Sequence, residues 1–199
     1  MLTVRNFCIL QVAAHIIKTL ILLFLYSLMA IYHIWQQRHL WPMFEIILFS
    51  PQIPPNTGNI IRLSANSGNR LHLIKPLGFK LDQKSCRRAG LDYHAMSEVQ
   101  VHEDLASCLS WLNQPRLFAL TTKGQSSVFD IKFQPGDALL FGSETSGLPP
   151  AIHRQINDQN KLRLPMVTGN RSLNLANAVS IVIYEAWRQL NFTNSEVAR

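Results

Sequence analysis

Cysteine is scarce in this chain of 199 residues. There are three, Cys8, Cys86 and Cys108, far apart and odd in number, with no Cys-x-x-Cys pair. That gives no sign of a disulfide framework or of a cysteine-based zinc site, and it fits a reducing compartment. The seven histidines are scattered along the sequence, so no metal-ligand cluster is expected. His72, alternating with apolar residues in "RLHLIK", reads as structural. There is no low-complexity tract, no internal repeat, no Gly-x-Gly-x-x-Gly and no Walker A pattern. Dinucleotide and nucleoside triphosphate binding therefore lack their usual signals. Acidic residues are missing altogether from residues 1–42, which hold Arg5, Lys18 and Arg38; the remainder has 16 basic and 12 acidic residues. The net charge of +7 is mildly basic and permits a polyanionic partner without demanding one.

What is present divides at Met43. Before it, Thr19 to Trp35 is an uncharged apolar run, slightly short of the roughly 20 residues a spanning helix needs. Three readings compete for residues 1–42: a membrane anchor with Arg38 and His39 as its basic flank, a signal peptide without a small-residue cleavage site, or an upstream extension that the folded domain does not use. The third is preferred here, because Met43 is followed at once by a buried-strand pattern, "FEIILF". The expectation is a domain at 43–199 with Met43 as the working start. A membrane partner follows only from the anchor reading.

From Met43 onward the hydrophobic period switches repeatedly. Strands are expected over 44–49, 70–75, 97–102, 116–122, 137–143 and 161–167. Helices are expected at 56–67, with Asn56 as N-cap and Gly68 as the stop, and at 82–90, 103–113, 148–156 and 172–190, the last opened by Ser172. Six strands alternating with helices argue an α/β fold with a mostly parallel sheet and helices on both faces. In such sheets the working loops follow the carboxyl ends of strands. Here those loops are "SPQIPPNTGN", "TTKGQSS", "GSETSGLPP" and "PMVTGNRSLN". The last helix is apolar nearly all round, which calls for a cover on both sides, and a homodimer supplies one.

Three segments carry a resemblance: "NTGNIIR" (56–62), "LLFGSETSGL" (139–148) and "LPMVTGNRSLNLANAVSIVIYEAWRQL" (164–190). Each is weak alone, but together, in this order and spacing, they resemble the SPOUT superfamily of RNA methyltransferases in its 2′-O-ribose branch. The likeness covers nearly all of residues 43–190. "IPPNTGNIIRL", "RRAGLDYH", "FALTTKG" and "YEAWRQL" are similar to the members that act on the tRNA anticodon wobble nucleotide.

The resemblance implies a trefoil knot near the C-terminus, a homodimer, S-adenosylmethionine as cofactor and tRNA as partner, in the cytoplasm. The nucleotide would be a wobble cytidine or 5-carboxymethylaminomethyluridine, in leucine tRNAs. Leu120, Gly142, Leu164 and Ser172 carry over as cofactor contacts. Arg62, Asn56, Glu144 and Asn174 carry over as catalytic residues. Arg62 is read as a phosphate clamp that lowers the ribose hydroxyl's pKa, since a guanidinium is a poor base. Glu144 is read as orienting Arg62 or Asn56. No metal is needed for this chemistry. Ser146 departs from the family, whose members often have Arg there. Basic residues for RNA are Arg62, Arg87, Arg88, Lys123, Arg154 and Arg171. The alternatives are the same reaction at another tRNA position or on rRNA, and a catalytically silent RNA-binding or membrane-tethered protein on the same fold.

Overall fold

The computed structural model describes residues 43–80, 99–170 and 172–196. The apolar run at 19–35, the helix expected at 82–90 and the basic residues Arg87, Arg88 and Arg171 lie outside the described residues. Among the described residues no helix is long and apolar enough to cross a membrane.

The elements follow in chain order. β1 spans Phe44–Phe49, α1 Pro54–Ser67, β2 Arg70–Ile74, β3 Val99–His102, α2 Leu105–Trp111, β4 Leu117–Leu120 and β5 Ser126–Ser127. Then come β6 Asp137–Phe141, α3 Pro150–Gln155, β7 Lys161–Arg163 and α4 Leu175–Gln189. The strands form one sheet of seven in the order β3-β2-β1-β6-β4-β7-β5. Every pairing is parallel. The six expected strands are all present, the first with the expected ends and the other five shorter. The seventh, β5, is a two-residue strand paired to β7, too short to show any period in sequence.

The central strands are buried on both faces, so they read as continuous apolar runs rather than alternating ones. Ile46 and Leu48 of β1 point to the layer that holds Ile60, Ile61, Val179, Val182 and Ile183. Ile47, between them, points to the other layer with Leu105, Cys108, Leu140 and Ile156. Helices α1 and α4 thus cover one face, packed on each other, and α2 and α3 cover the other.

Two helix starts differ from expectation. α1 begins at Pro54, with Ile53 as N-cap and no side-chain cap bond. Pro54 and Pro55 take the first two helical positions, where a missing N–H costs nothing, so Asn56 is the third residue of the helix rather than its cap. α4 is capped by Asn174, not Ser172: the Asn174 Oδ1 accepts from the Ala176 and Asn177 amides at 2.9 and 3.3 Å. Both are residue types that favour this position, and two residues of extended chain separate Ser172 from the helix. The stop at Gly68 is as expected, with a left-handed φ of 67°, which glycine adopts without steric penalty.

Candidate functional site

The carboxyl ends of β1, β4, β6 and β7 lie side by side in the sheet. Their following loops enclose a cleft of about 530 Å³, within the size range of small-molecule sites. Of the eight candidate residues, seven line it: Asn56, Leu120, Gly142, Glu144, Leu164, Ser172 and Asn174. Arg62 does not. It sits on the exposed side of α1. Six residues at about 100° each carry it about 240° round the helix from Asn56. Asn56 faces the interior, and Arg62 faces out.

The cleft is organised by a chain of hydrogen bonds across three loops. The Glu144 carboxylate follows β6. It accepts from the backbone amides of Gln52 and Ile53, at 2.8 and 3.2 Å, and from the Asn56 side-chain amide at 3.0 Å. The Asn56 carbonyl oxygen accepts from the Asn174 side-chain amide at 2.9 Å. Asn174 in turn caps α4. A carboxylate accepting amides at the start of α1 also meets the positive end of that helix dipole. The three polar side chains therefore tie the entry of α1 to the entry of α4 through the loop after β6. Asn56, one of the two partners expected for Glu144, is bonded to it.

That loop is tight. A Cβ on Gly142 would lie 2.3 Å from the Gly147 carbonyl carbon and 2.4 Å from the Leu148 nitrogen, contacts that no side chain tolerates. Ser143 and Gly147 exchange backbone hydrogen bonds across it, at 3.2 and 2.9 Å. Gly142 thus lets the chain fold back on itself and hold backbone groups at the cleft wall.

The remaining lining fits the cofactor that the resemblance implies. Phe141, Leu148, Leu164, Met166 and Ala178 supply apolar walls for a flat aromatic base, beside the backbone of the Gly142 turn. Hydroxyls of Thr121, Thr145 and Ser172 line the same space. Apolar walls with a few convergent polar groups are what an adenosyl moiety requires. Met166 and Ala178 were not anticipated; the only hint was their place in the loop after β7 and the first turns of α4. Ser146 lies exposed at the cleft's edge, as suits a substrate-facing position.

One cation lines the cleft, and others lie on the elements that follow β4 and β6. Arg163, at the end of β7, is the lining residue. Lys123 follows β4 and is exposed. Burial, together with the charges of Lys123 and Lys161, holds His153 below the ordinary imidazole range. Arg154 on α3 is also exposed.

Residues 43–184 match the SpoU rRNA Methylase family. The chain belongs to that family. A relative from Methylovorus glucosotrophus, a tRNA (cytidine(34)-2'-O)-methyltransferase, is 54% identical over 153 residues, covering 77% of this chain and 99% of the relative. A solved structure concerned with the 2-OH methylation of C/U34 on tRNA is 42% identical. It covers 74% of this chain and 96% of its own, with a TM-score of 0.68. The SpoU methyltransferase AviRb from Streptomyces viridochromogenes, solved with AdoMet, is 27% identical. It covers 75% of this chain and 58% of its own, with a TM-score of 0.65. This SpoU membership agrees with the α/β fold and the parallel sheet described above.

Proposed function

We propose that this chain transfers a methyl group from S-adenosylmethionine to the ribose 2′-hydroxyl of nucleotide 34 in tRNA. The observation that carries the reading is the convergence of seven candidate residues from four strand ends and the segments that follow them on one cleft, in a chain 54% identical to a tRNA (cytidine(34)-2'-O)-methyltransferase over nearly all of that relative.

S-adenosylmethionine supplies, when bound, an electrophilic sulfonium methyl. Leu164 and the Gly142 turn form the wall that seats the adenosyl moiety, and Leu120 and Ser172 complete it. The Glu144–Asn56–Asn174 chain fixes the loops in register, so that a sugar hydroxyl is presented at one position with little residual freedom. Arg62 acts from the exposed side of α1 as a bidentate clamp on an RNA phosphate. Its positive charge, carried to the reacting sugar through the phosphate it holds, lowers the hydroxyl's pKa; the hydroxyl proton passes to solvent water rather than to the guanidinium. Lys123, Arg154 and Arg163 extend the phosphate-binding border, and binding weakens steeply with salt.

The active form is a homodimer in the cytoplasm. Ile181 and Tyr184 lie on the outward stripe of α4, 40% and 49% exposed, and a second copy covers them. Sedimentation of the protein as a monomer at micromolar concentration contradicts this. The working domain is 43–199, knotted near its C-terminus, with residues 1–42 an extension outside it. Mass spectrometry of the native N-terminus tests the extension: abundant peptides from residues 1–42 overturn it.

The reaction is tested with Arg62→Ala. Turnover on tRNA falls by about 100-fold or more, as when a transition-state donor is removed, while S-adenosylmethionine binding by calorimetry is unchanged. A normal kcat removes Arg62 from the mechanism.

A further inference from the structure

A second cluster lies on the opposite layer of the sheet, under α2. His72 on β2 and His102 on β3 lie on the same face of adjacent strands, and Cys108 comes down from α2. Their ligand-type atoms all fall within 4.8 Å of one another. His72 Nδ1 and His102 Nε2 are 3.0 Å apart. On its other side, His72 Nε2 is 2.9 Å from the Glu45 Oε2. His72 and Cys108 are fully buried, while His102 is partly exposed. Trp111 packs against both imidazoles, its ring centre 5.4 Å from His72 and 6.0 Å from His102. The histidines that look scattered in sequence are, for this pair, in contact.

We propose that His72, His102 and Cys108 form a binding site for a borderline-soft divalent metal of the zinc class, with Glu45 orienting His72. Four features support it. Two imidazoles and a thiolate are a ligand set that zinc accepts, with a fourth position left for water. The Glu45 contact is the carboxylate–histidine arrangement that fixes the tautomer of a metal-bound imidazole: Nε2–H donates to the carboxylate and Nδ1 presents its lone pair to the metal. Bond lengths of about 2.0–2.1 Å to nitrogen and 2.3 Å to sulfur place tetrahedral ligand atoms about 3.3–3.7 Å apart. The imidazole nitrogens need to open by only a few tenths of an ångström from 3.0 Å, and the sulfur, within 4.8 Å of them, to close by at most about 1.3 Å. Entry is from the His102 side, the exposed edge of the cluster.

The proton balance is simple. In the metal-free protein Cys108 is a buried free thiol, and a thiol in such surroundings keeps its proton. A metal dication replaces that proton, which leaves to solvent, and the sulfur binds as thiolate. His102 stays neutral with its proton moved to Nδ1, which frees Nε2 for the metal. The Glu45 charge is already met by Arg70, so the site gains a dication and one thiolate. This site is separate from the methyl-transfer cleft and stands or falls independently of it.

The test is titration of the full chain with Co(II), then Zn(II). One equivalent of Co(II) gives a thiolate-to-metal charge-transfer absorption that Zn(II) abolishes by displacement. Cys108→Ser removes the band, whereas Cys8→Ser and Cys86→Ser leave it. His102→Asn weakens affinity at least tenfold, and Glu45→Gln weakens it by about 10–100-fold, the usual effect of losing such an orienting partner. Circular dichroism confirms that each variant is folded; where Cys108→Ser is not, the exposed-side variant His102→Asn carries the test alone. No charge-transfer band, a band that survives in folded Cys108→Ser, or an affinity unaltered by His102→Asn overturns the proposal.

Discussion

Replacing Asn56 by Asp tests the polar chain at its middle link. The substitution is nearly isosteric and keeps an oxygen facing the Asn174 amide. It exchanges the amide that donates to Glu144 for a second carboxylate oxygen, 3.0 Å from the first. A hydrogen bond to a charged acceptor contributes about 1.5–3 kcal/mol. Two full charges at about 4 Å repel by about 4 kcal/mol at an effective dielectric of about 20. The pair reduces that cost by retaining one shared proton, so its upper pKa rises. A net loss of about 2–4 kcal/mol at neutral pH lowers the melting temperature by about 4–16 °C, at about 2–4 °C per kcal/mol for a domain of this size. The sign of the pH dependence follows. In the variant the folded carboxyl pair binds a proton that the unfolded chain has lost, so the defect grows as pH rises through the raised pKa and shrinks below it. Thermal melts of wild type, Asn56→Asp and Asn56→Ala at about pH 7.5 and about pH 5 read this out. The Asp variant recovers toward wild type at the lower pH, while the Ala variant, which has no proton to regain, does not. An Asp defect of equal size at both values refutes the hydrogen-bonded contact between Asn56 and Glu144.

Three further predictions concern other parts of the molecule. Gly142→Ala forces a Cβ into the Gly147 backbone; expression as folded protein drops and S-adenosylmethionine affinity falls at least tenfold by calorimetry, and wild-type affinity would mean that the turn does not shape the cleft. Asn174→Ser keeps a capping oxygen but loses the amide that reaches Asn56; it costs less stability in denaturant melts than Asn174→Ala, which also loses the cap, by about 1 kcal/mol, yet both variants slow turnover alike. Acid destabilises the fold in two stages. Burial, then the His72 charge, holds His102 below its ordinary 6.5. For Glu45, burial raises the pKa, but hydrogen bonds from His72 and Arg70 and their charges outweigh it and hold the carboxyl below its ordinary 4.5. Both groups release protons more readily when folded, so each contribution is complete above the unfolded value and is lost as pH falls through the folded one. His102→Asn removes the upper stage in pH-dependent melts and leaves the lower.

The sheet was legible because its strands are buried on both faces and bounded by turn residues. "FEIILF" and "DALLF" can be little else between polar loops. β5 was not legible, since two serines carry no period and their pairing to β7 is a tertiary fact. The helix starts were misplaced for a local reason: Asn56 and Ser172 are good caps, but two prolines and Asn174 respectively set the boundary. For the candidate site, position at or after a strand end was enough to gather seven of the eight residues around one cleft. The sequence did not say which partner Glu144 would take. It also did not show that Arg62 lies on the exposed side of α1, outside the cleft lining, because that depends on where α1 begins and which side it buries. The His72–His102–Cys108 cluster was invisible for a different reason: its members are joined by strand pairing across unlike segments, not by spacing.

The measurement that bears most directly on the account is methyl transfer from methyl-labelled S-adenosylmethionine to total tRNA by the purified chain, followed by nuclease digestion and nucleoside mapping. The label appears as a ribose 2′-O-methyl group at nucleotide 34. Label on a base, at another position, in ribosomal RNA alone, or nowhere contradicts it.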